Sequence, residues 1–127
     1  MVVNHREPTV HRIMLLSKIH RAVVQEVNLQ YEGSITIDEM ILTAADVLPY
    51  QQVQVYNIST GARFETYTLA GEAGSGTVVV NGAAARLAHP GDRLIIAAYG
   101  MVEEARAGEH KPRIVLLDEQ NRIAATL

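Results

Sequence analysis

The chain has 127 residues, of which 48% are hydrophobic and 20% are charged, a balance typical of one globular domain with a single core. Its formal charge of −3 supplies no basic surface, so we expect no nucleic-acid partner. The sequence has no cysteine, which excludes disulfides and thiolate chemistry. Without a secretory signal or an apolar run of the ~20 residues that span a bilayer, it predicts a cytoplasmic protein with no membrane partner.

Short strands separated by turn residues dominate the predicted secondary structure of the first half. Alternating or β-branched patterns predict strands over residues 23–31, 35–37, 52–58 and 63–70, the last two forming a hairpin. Asp38 is placed to cap a helix that ends at Pro49. The predicted core face of this helix consists of Met40, Ile41, Ala44, Ala45 and Leu48.

The second half continues the same pattern of short strands and turns. It predicts a glycine loop at 71–76, strands over 77–80, 93–99 and 114–117, one helical turn at 103–107 and a tail of weak periodicity after Asp118. Asn81-Gly82 is predicted to form a hairpin turn, because both residues accept positive φ. We therefore expect a closed or nearly closed β-barrel with one or two short helices, preceded by a loose extension over residues 1–10.

The histidines and the glycine loop carry no recognisable site of their own. The five histidines lack the spacing by which ligands converge on a metal, so no metal is expected. The loop at 71–76 lacks the Lys-Ser/Thr ending of a phosphate-binding loop and precedes a strand where that motif would open a helix. A structural loop is the better interpretation.

Two Gly-Ser dipeptides occur, Gly33-Ser34 and Gly74-Ser75. A chain of this length should contain about one by chance, so the dipeptide alone means little. The first lies between two predicted strands and near Lys18, whereas the second lies in the glycine loop with no reactive group nearby. Context therefore favours Gly33-Ser34 as the dipeptide with a chemical role.

Several ordered blocks of the sequence together resemble the aspartate decarboxylase family. They are KIHR at 18–21, LQYEGSITID at 29–38, YNI at 56–58 with TG at 60–61, RF at 63–64 with TY at 66–67, VNGAAA at 80–85 and PGD at 90–92. The resemblance covers residues 11–117 and implies a small double-psi β-barrel. The first ten residues and the tail after Asp118 fit the family pattern poorly, and Tyr56 occupies an aromatic position where the family has tryptophan.

The resemblance implies that the chain cuts itself between Gly33 and Ser34, giving fragments 1–33 and 34–127. The Ser34 hydroxyl would attack the Gly33 carbonyl, and the resulting ester would lead to a pyruvoyl group at residue 34, the covalent cofactor. Glycine suits the bond because it tolerates the backbone conformations that this attack requires. By the same resemblance Thr66 would stabilise the oxyanion, with Asn81 beside it.

The resemblance also implies decarboxylation of L-aspartate to β-alanine, which feeds pantothenate biosynthesis. The pyruvoyl ketone derived from Ser34 would form a Schiff base with the substrate amine, and the Tyr67 phenol would donate the proton. Two cations, Lys18 and Arg63, would bind the substrate carboxylates. The remaining implied residues are Gly82, Ala83 and Ala84 for substrate binding, with His20 and Tyr31 in supporting roles.

Strand alternation places Arg63 and Tyr67 on one face of their strand and Thr66 on the other. A regular strand could not direct all three into one pocket of one subunit, so either the strand twists or bulges there or the site lies between subunits. The resemblance favours the second alternative, because the family is tetrameric with sites at subunit interfaces. We therefore expect a homotetramer with sites between subunits, and the sequence leaves open a need for a maturation factor. The rival interpretations are a catalytically silent β-barrel that serves binding or assembly, and a DNA-binding barrel of swapped hairpins, which the negative charge disfavours.

Overall fold

The computed structural model describes residues 9–127, in which nine β-strands form one mixed sheet. The strands are β1 (His11–Val23), β2 (Glu26–Asn28), β3 (Ser34–Asp38), β4 (Gln52–Asn57), β5 (Arg63–Gly71), β6 (Val78–Asn81), β7 (Arg93–Glu103), β8 (Arg113–Leu117) and β9 (Ile123–Thr126). Two short α-helices, α1 (Glu39–Ala45) and α2 (Glu104–Ala107), and a 3₁₀ helix (Gly82–Leu87) complete the described part.

The strands pair in the order β2-β6-β3-β5-β4-β7-β1-β8-β9. Neighbours are antiparallel except for three parallel pairs, β1 with β8, β2 with β6 and β3 with β5. Parallel pairs require crossover connections, which are absent from a simple up-and-down barrel. The described chain is thus mainly β, and its nine-stranded sheet is consistent with the predicted small β-barrel.

Branched aliphatic side chains fill the interior of the sheet. Residues that are fully buried include Ile19 of β1, Ile35 of β3, Val55 of β4 and Leu94 of β7. Because alternate residues of a strand point to opposite faces, each core residue is flanked by side chains that face outward. Burial of this apolar surface is the main force that stabilises the barrel.

Two buried polar side chains hold distant segments of the curled sheet together. Asn121, which is 2% exposed, donates to the carbonyls of Val23 and Gly76 and accepts from the Val23 amide. The Asp38 carboxylate accepts from the amide of Met40 in the first turn of α1 and from two amides of the glycine loop. These hydrogen bonds satisfy backbone groups at sites where no strand partner is present.

The predicted hairpin of residues 52–58 and 63–70, the strands at 35–37, 93–99 and 114–117, the helix after Asp38 and the helical turn near 103–107 are all confirmed. The glycine loop at 71–76 and the strand at 77–80 also correspond closely to the structure, although β5 extends to Gly71.

Several predicted elements are wrong. The sequence pattern predicts no element over residues 11–22, yet β1 there is the longest strand of the described chain, whereas the predicted strand at 23–31 shrinks to β2. Asn81-Gly82 does not make a hairpin turn, because Asn81 stays extended and Gly82 starts the 3₁₀ helix. Of the predicted core face of α1, Ile41 and Ala45 are buried, but Met40 and Leu48 are 54% and 68% exposed. The helix ends at Ala45, before Leu48, and it buries Leu42, which the pattern did not predict.

The tail after Asp118 contains a further strand, β9, that weak periodicity concealed. Most of the predicted loose extension, residues 1–8 of 1–10, lies outside the described residues. No helix within residues 9–127 is long and apolar enough to cross a membrane.

Candidate active site

Ser34 begins β3 as a fully buried side chain in direct contact with Asn81. The two residues face each other across the antiparallel pair of β3 and β6. The Asn81 amide nitrogen donates to the Ser34 hydroxyl at 3.0 Å and to the Thr36 hydroxyl at 3.1 Å, while Ser34 donates to the Glu32 carbonyl at 3.3 Å. Ser34 is 0% exposed and Asn81 is 4% exposed, so this hydroxyl is held in place and shielded from water.

Gly82 packs directly against the backbone that precedes Ser34. A Cβ atom at Gly82 would lie 2.5 Å from the Cα and the amide nitrogen of Gly33 and 2.9 Å from the Tyr31 carbonyl oxygen. Gly82 also has a φ of 63°, in the region that side chains disfavour. Only glycine therefore allows the start of the 3₁₀ helix to approach the Gly33-Ser34 bond this closely.

The two alanines that follow Gly82 continue the 3₁₀ helix that begins beside Gly33. Ala83 is exposed and Ala84 is half-buried in the first turn of the 3₁₀ helix. Tyr31 is 54% exposed, and its backbone carbonyl oxygen lies against Gly82. The structure therefore gathers the predicted processing residues Gly33, Ser34 and Asn81 with the predicted substrate-binding glycine in one place.

Thr66 and Tyr67 lie on β5, beside β3. The parallel register pairs Ile35 with Thr68, and its extension by one residue places the backbone of Tyr67 next to that of Ser34. Across β4, Thr66 opposes the buried Val53, whereas Tyr67 opposes the exposed Gln52. The predicted alternation is confirmed: Thr66 shares the core side of β5, and Tyr67 shares the opposite side with Arg63.

We call outer face the side of β1, β7, β4 and β5 that points away from the core. Cross-strand pairing aligns Lys18, Ala97, Gln54 and Glu65 in one row of this face. The next row consists of His20, Ile95, Tyr56 and Arg63. The predicted substrate cations and His20 therefore share the outer face, although β1 and β5 are about 14 Å apart at the usual spacing of paired strands.

Neither cation of the outer face has an acidic partner within residues 9–127. Lys18 and Arg63 form no salt bridge there and donate no hydrogen bond. Glu65 lies in the row of Lys18 and two residues from Arg63, but its carboxylate accepts a hydrogen bond from the Gln54 side chain at 2.6 Å. Unpaired cations on one face favour the binding of an anionic ligand.

His20 lies two residues from Lys18 and is half-buried. Its Nδ1 is a buried polar atom with no hydrogen-bond partner in the described chain. Burial, followed by repulsion from Lys18 and Arg21, lowers the pKa of His20 below its ordinary value of 6.5. The imidazole is therefore mainly neutral at physiological pH.

An aromatic pair that the sequence interpretation missed supports Arg63. The Arg63 guanidinium carbon lies 4.1 Å from the centroid of the Tyr56 ring, and the Tyr56 hydroxyl hydrogen-bonds the Tyr99 hydroxyl at 2.9 Å. Alternation along β4 and β5 could have indicated that Tyr56 and Arg63 share a face. The partnership with Tyr99 depends on the pairing of β4 with β7, for which no local signal exists.

A groove of about 530 Å³ adjoins these residues on the outer face. Its lining includes Gln52, Gln54, Tyr99 and the exposed apolar side chains of Ile13 and Met101. The groove joins the row of Lys18 to the aromatic pair. In the part of the chain that the structure covers, no group of three or more acidic or histidine side chains could hold a metal ion.

Comparison with known proteins identifies the family of the chain. The family described as aspartate decarboxylase matches residues 10–124. A protein of Syntrophobacter fumaroxidans named aspartate 1-decarboxylase is 59% identical over 111 residues, 87% of this chain and 90% of the relative. Proteins of the same name from Heliobacterium modesticaldum and Thermoanaerobacter pseudethanolicus are 56% and 51% identical, covering 91% and 87% of this chain and 87% and 95% of their own lengths. The chain belongs to the aspartate decarboxylase family.

Proposed function

We propose that the protein is an aspartate 1-decarboxylase that is made as a precursor and activates itself by cleavage between Gly33 and Ser34. The observation that carries the proposal is the buried Ser34 hydroxyl, held by Asn81 beside a glycine backbone that Gly82 contacts. A serine in an ordinary surface turn would need neither the burial nor the side-chain amide. Gly74-Ser75 is such a turn: the Ser75 hydroxyl donates to the Glu72 carbonyl within its own loop.

Cleavage would proceed by transfer of the Gly33 acyl group from nitrogen to oxygen. The Ser34 oxygen attacks the Gly33 carbonyl carbon, the peptide C–N bond breaks, and an ester links the two residues. Elimination releases the Gly33 carboxylate and leaves dehydroalanine, whose hydrolysis yields the pyruvoyl group and ammonia. Asn81 holds the attacking oxygen, and Thr66, one residue from Tyr67 on β5, is the donor assigned to the negative charge that builds on the carbonyl oxygen.

The surroundings of residue 34 suit a pyruvoyl group. The side chain of residue 34 is fully buried in the precursor, so a ketone formed there is kept away from bulk water. Such a group supplies a ketone that condenses with an amine and withdraws electrons as carbon dioxide leaves. Because the group comes from the chain itself, no separate cofactor site is required.

The outer face supplies what a small dicarboxylate needs. Arg63 presents a planar fork of donors suited to a carboxylate, and Lys18 offers a second positive charge. Tyr67 shares a side of β5 with Arg63 and hydrogen-bonds no other described residue, so its phenol is free to hold or donate a proton. We assign Lys18 and Arg63 to substrate binding and Tyr67 to protonation of the product carbon, which yields β-alanine from L-aspartate.

We further propose a homotetramer whose sites lie between subunits. Within residues 9–127 no hydrogen bond connects the Ser34 cluster to Lys18 or Arg63. The groove beside the cations exposes Ile13 and Met101 by 75% and 74%, which is unusual for large apolar side chains unless another surface covers them. A neighbouring subunit would cover this surface and bring its own Ser34 to the cations.

Mass spectrometry of the intact protein tests the proposal. We expect the wild-type chain to separate into residues 1–33 and 34–127, with a pyruvoyl mass at the start of the larger fragment, and to release β-alanine and carbon dioxide from L-aspartate. Ser34→Ala should remain whole and inactive. The matched control is Ser75→Ala, which alters the other Gly-Ser dipeptide and should still cleave after Gly33. A wild-type chain that stays whole, both alone and with bacterial extract, would favour the catalytically silent barrel.

Thr66→Ala tests the assigned oxyanion donor separately. Loss of the hydroxyl should leave an intact precursor, because removal of one such donor typically slows acyl transfer by about 100-fold or more. Mass spectrometry over time gives the cleavage rate. Cleavage of the variant at the wild-type rate would remove Thr66 from the mechanism.

A further inference from the structure

Arg63 rests on an aromatic ring that is itself fixed in position. Tyr56 and Arg63 are directly opposite in the antiparallel pair of β4 and β5, so their side chains run alongside each other. The guanidinium carbon lies 4.1 Å from the ring centroid, within the range of a cation–π contact.

The hydroxyl end of the Tyr56 ring is hydrogen-bonded to a third strand, β7. The Tyr56 hydroxyl hydrogen-bonds Tyr99 of β7 at 2.9 Å. This hydrogen bond, with a smaller contribution from burial, raises the pKa of the Tyr99 phenol above its ordinary value of 10.0. The Tyr99 phenol is therefore protonated at neutral pH, and the hydroxyl pair limits rotation and tilt of the Tyr56 ring.

The contact with Tyr56 leaves the guanidinium donors unused. The Arg63 guanidinium carbon lies over the face of the Tyr56 ring, and this contact uses none of the five N–H donors for a hydrogen bond. Within residues 9–127 these donors form no hydrogen bond. Glu65, the acid on the same side of β5, accepts a hydrogen bond from the Gln54 side chain instead. The ring thus holds the cation without occupying its donors.

We propose that Tyr56 is a positioning residue that holds the Arg63 guanidinium ready for a substrate carboxylate, and that Tyr99 fixes the Tyr56 ring. The inference rests on the proposed decarboxylase function and extends it to the residues that set affinity for the dicarboxylate. An unsupported arginine would lose side-chain freedom each time it bound substrate; a stacked one has lost most of it beforehand.

The test compares steady-state kinetics with L-aspartate for the wild type and six variants. Tyr56→Leu removes the ring, and we expect KM to rise about fivefold with kcat within about twofold, because binding is weakened while the reacting atoms are unchanged. Cleavage after Gly33 should proceed at the wild-type rate. Tyr56→Phe and Tyr99→Phe each remove the same hydroxyl pair and should raise KM equally, by about twofold.

The double variant with phenylalanine at 56 and 99 distinguishes positioning from general damage. If the two hydroxyls act only through each other, its KM should match that of either single variant. An unchanged KM in Tyr56→Leu, or a fall in kcat and cleavage rate at constant KM, would overturn the inference. Additive effects of the two phenylalanine changes would do so as well, and this arm holds even if Tyr56→Leu fails to fold.

An Arg63→Gln background provides the final check. Tyr56→Leu should add no further rise in KM there, because its effect passes through the guanidinium; a further rise would overturn the inference. A wild-type enzyme that neither cleaves nor consumes aspartate would refute the proposed function itself. Normal wild-type turnover with an unaltered KM in Tyr56→Leu would refute the positioning role alone.

Discussion

Gly82→Ala is the substitution that most directly probes the contact beside the proposed scissile bond. The new methyl group would lie 2.5 Å from two backbone atoms of Gly33 and 2.9 Å from the Tyr31 carbonyl oxygen, and backbone cannot rotate away as a side chain can. Overpacking of this kind costs roughly 1–3 kcal/mol. The φ of 63° adds about 1 kcal/mol for a residue with a Cβ.

We therefore expect Gly82→Ala to lower the free energy of unfolding by about 2–4 kcal/mol, or to relieve the clash by moving the Gly33 carbonyl carbon away from the Ser34 hydroxyl. A shift of about 1 Å at reacting atoms can slow a reaction by about 100-fold, so self-cleavage should fall sharply in a variant that folds. Denaturant unfolding and mass spectrometry over time measure the two effects.

The matched control for Gly82→Ala is Gly61→Ala. Gly61 has a φ of 81°, and no atom lies within 4 Å of the position that the new methyl group would take, so this variant carries the backbone strain without the clash. It should lose about 1 kcal/mol and cleave normally. Equal stability loss in both variants, together with wild-type cleavage in Gly82→Ala, would show that the close approach to Gly33 has no role.

Two further predictions concern stability. Asp38→Ala removes a buried carboxylate that accepts from the amides of Met40, Gly74 and Gly76, and it should lower the free energy of unfolding in denaturant by about 3 kcal/mol. The control Asp118→Ala removes an exposed turn acceptor and should lower it by about 1 kcal/mol. Equal losses in the two variants would contradict this account. Because burial and neighbouring cations lower the folded-state pKa of His20, the unfolded chain binds more protons just below pH 6.5, and stability should fall on acidification through that value. His20→Gln should flatten this part of the pH profile, and an unchanged slope would exclude His20 as its source.

Three of the four residues that the resemblance assigned to processing, Gly33, Ser34 and Asn81, lie together in the structure, and Gly82, assigned to substrate binding, adjoins them. The fourth, Thr66, lies on the core side of β5. The prediction failed in the local conformation of Asn81-Gly82, because the same two residues that favour a hairpin turn also suit the entry to a 3₁₀ helix next to Gly33. The surrounding chain, and not local preference, decides between these conformations.

The sequence by itself determined the β-rich composition, the helix after Asp38, the hairpin of β4 and β5 and the opposite faces of Thr66 and Tyr67. These features follow from periodicity and turn chemistry, which act over a few residues. Only the tertiary structure decided that β7 lies between β1 and β4. That order places Lys18 and Arg63 in adjacent rows of the outer face and joins Tyr99 to Tyr56. It depends on side-chain packing between strands far apart in the chain.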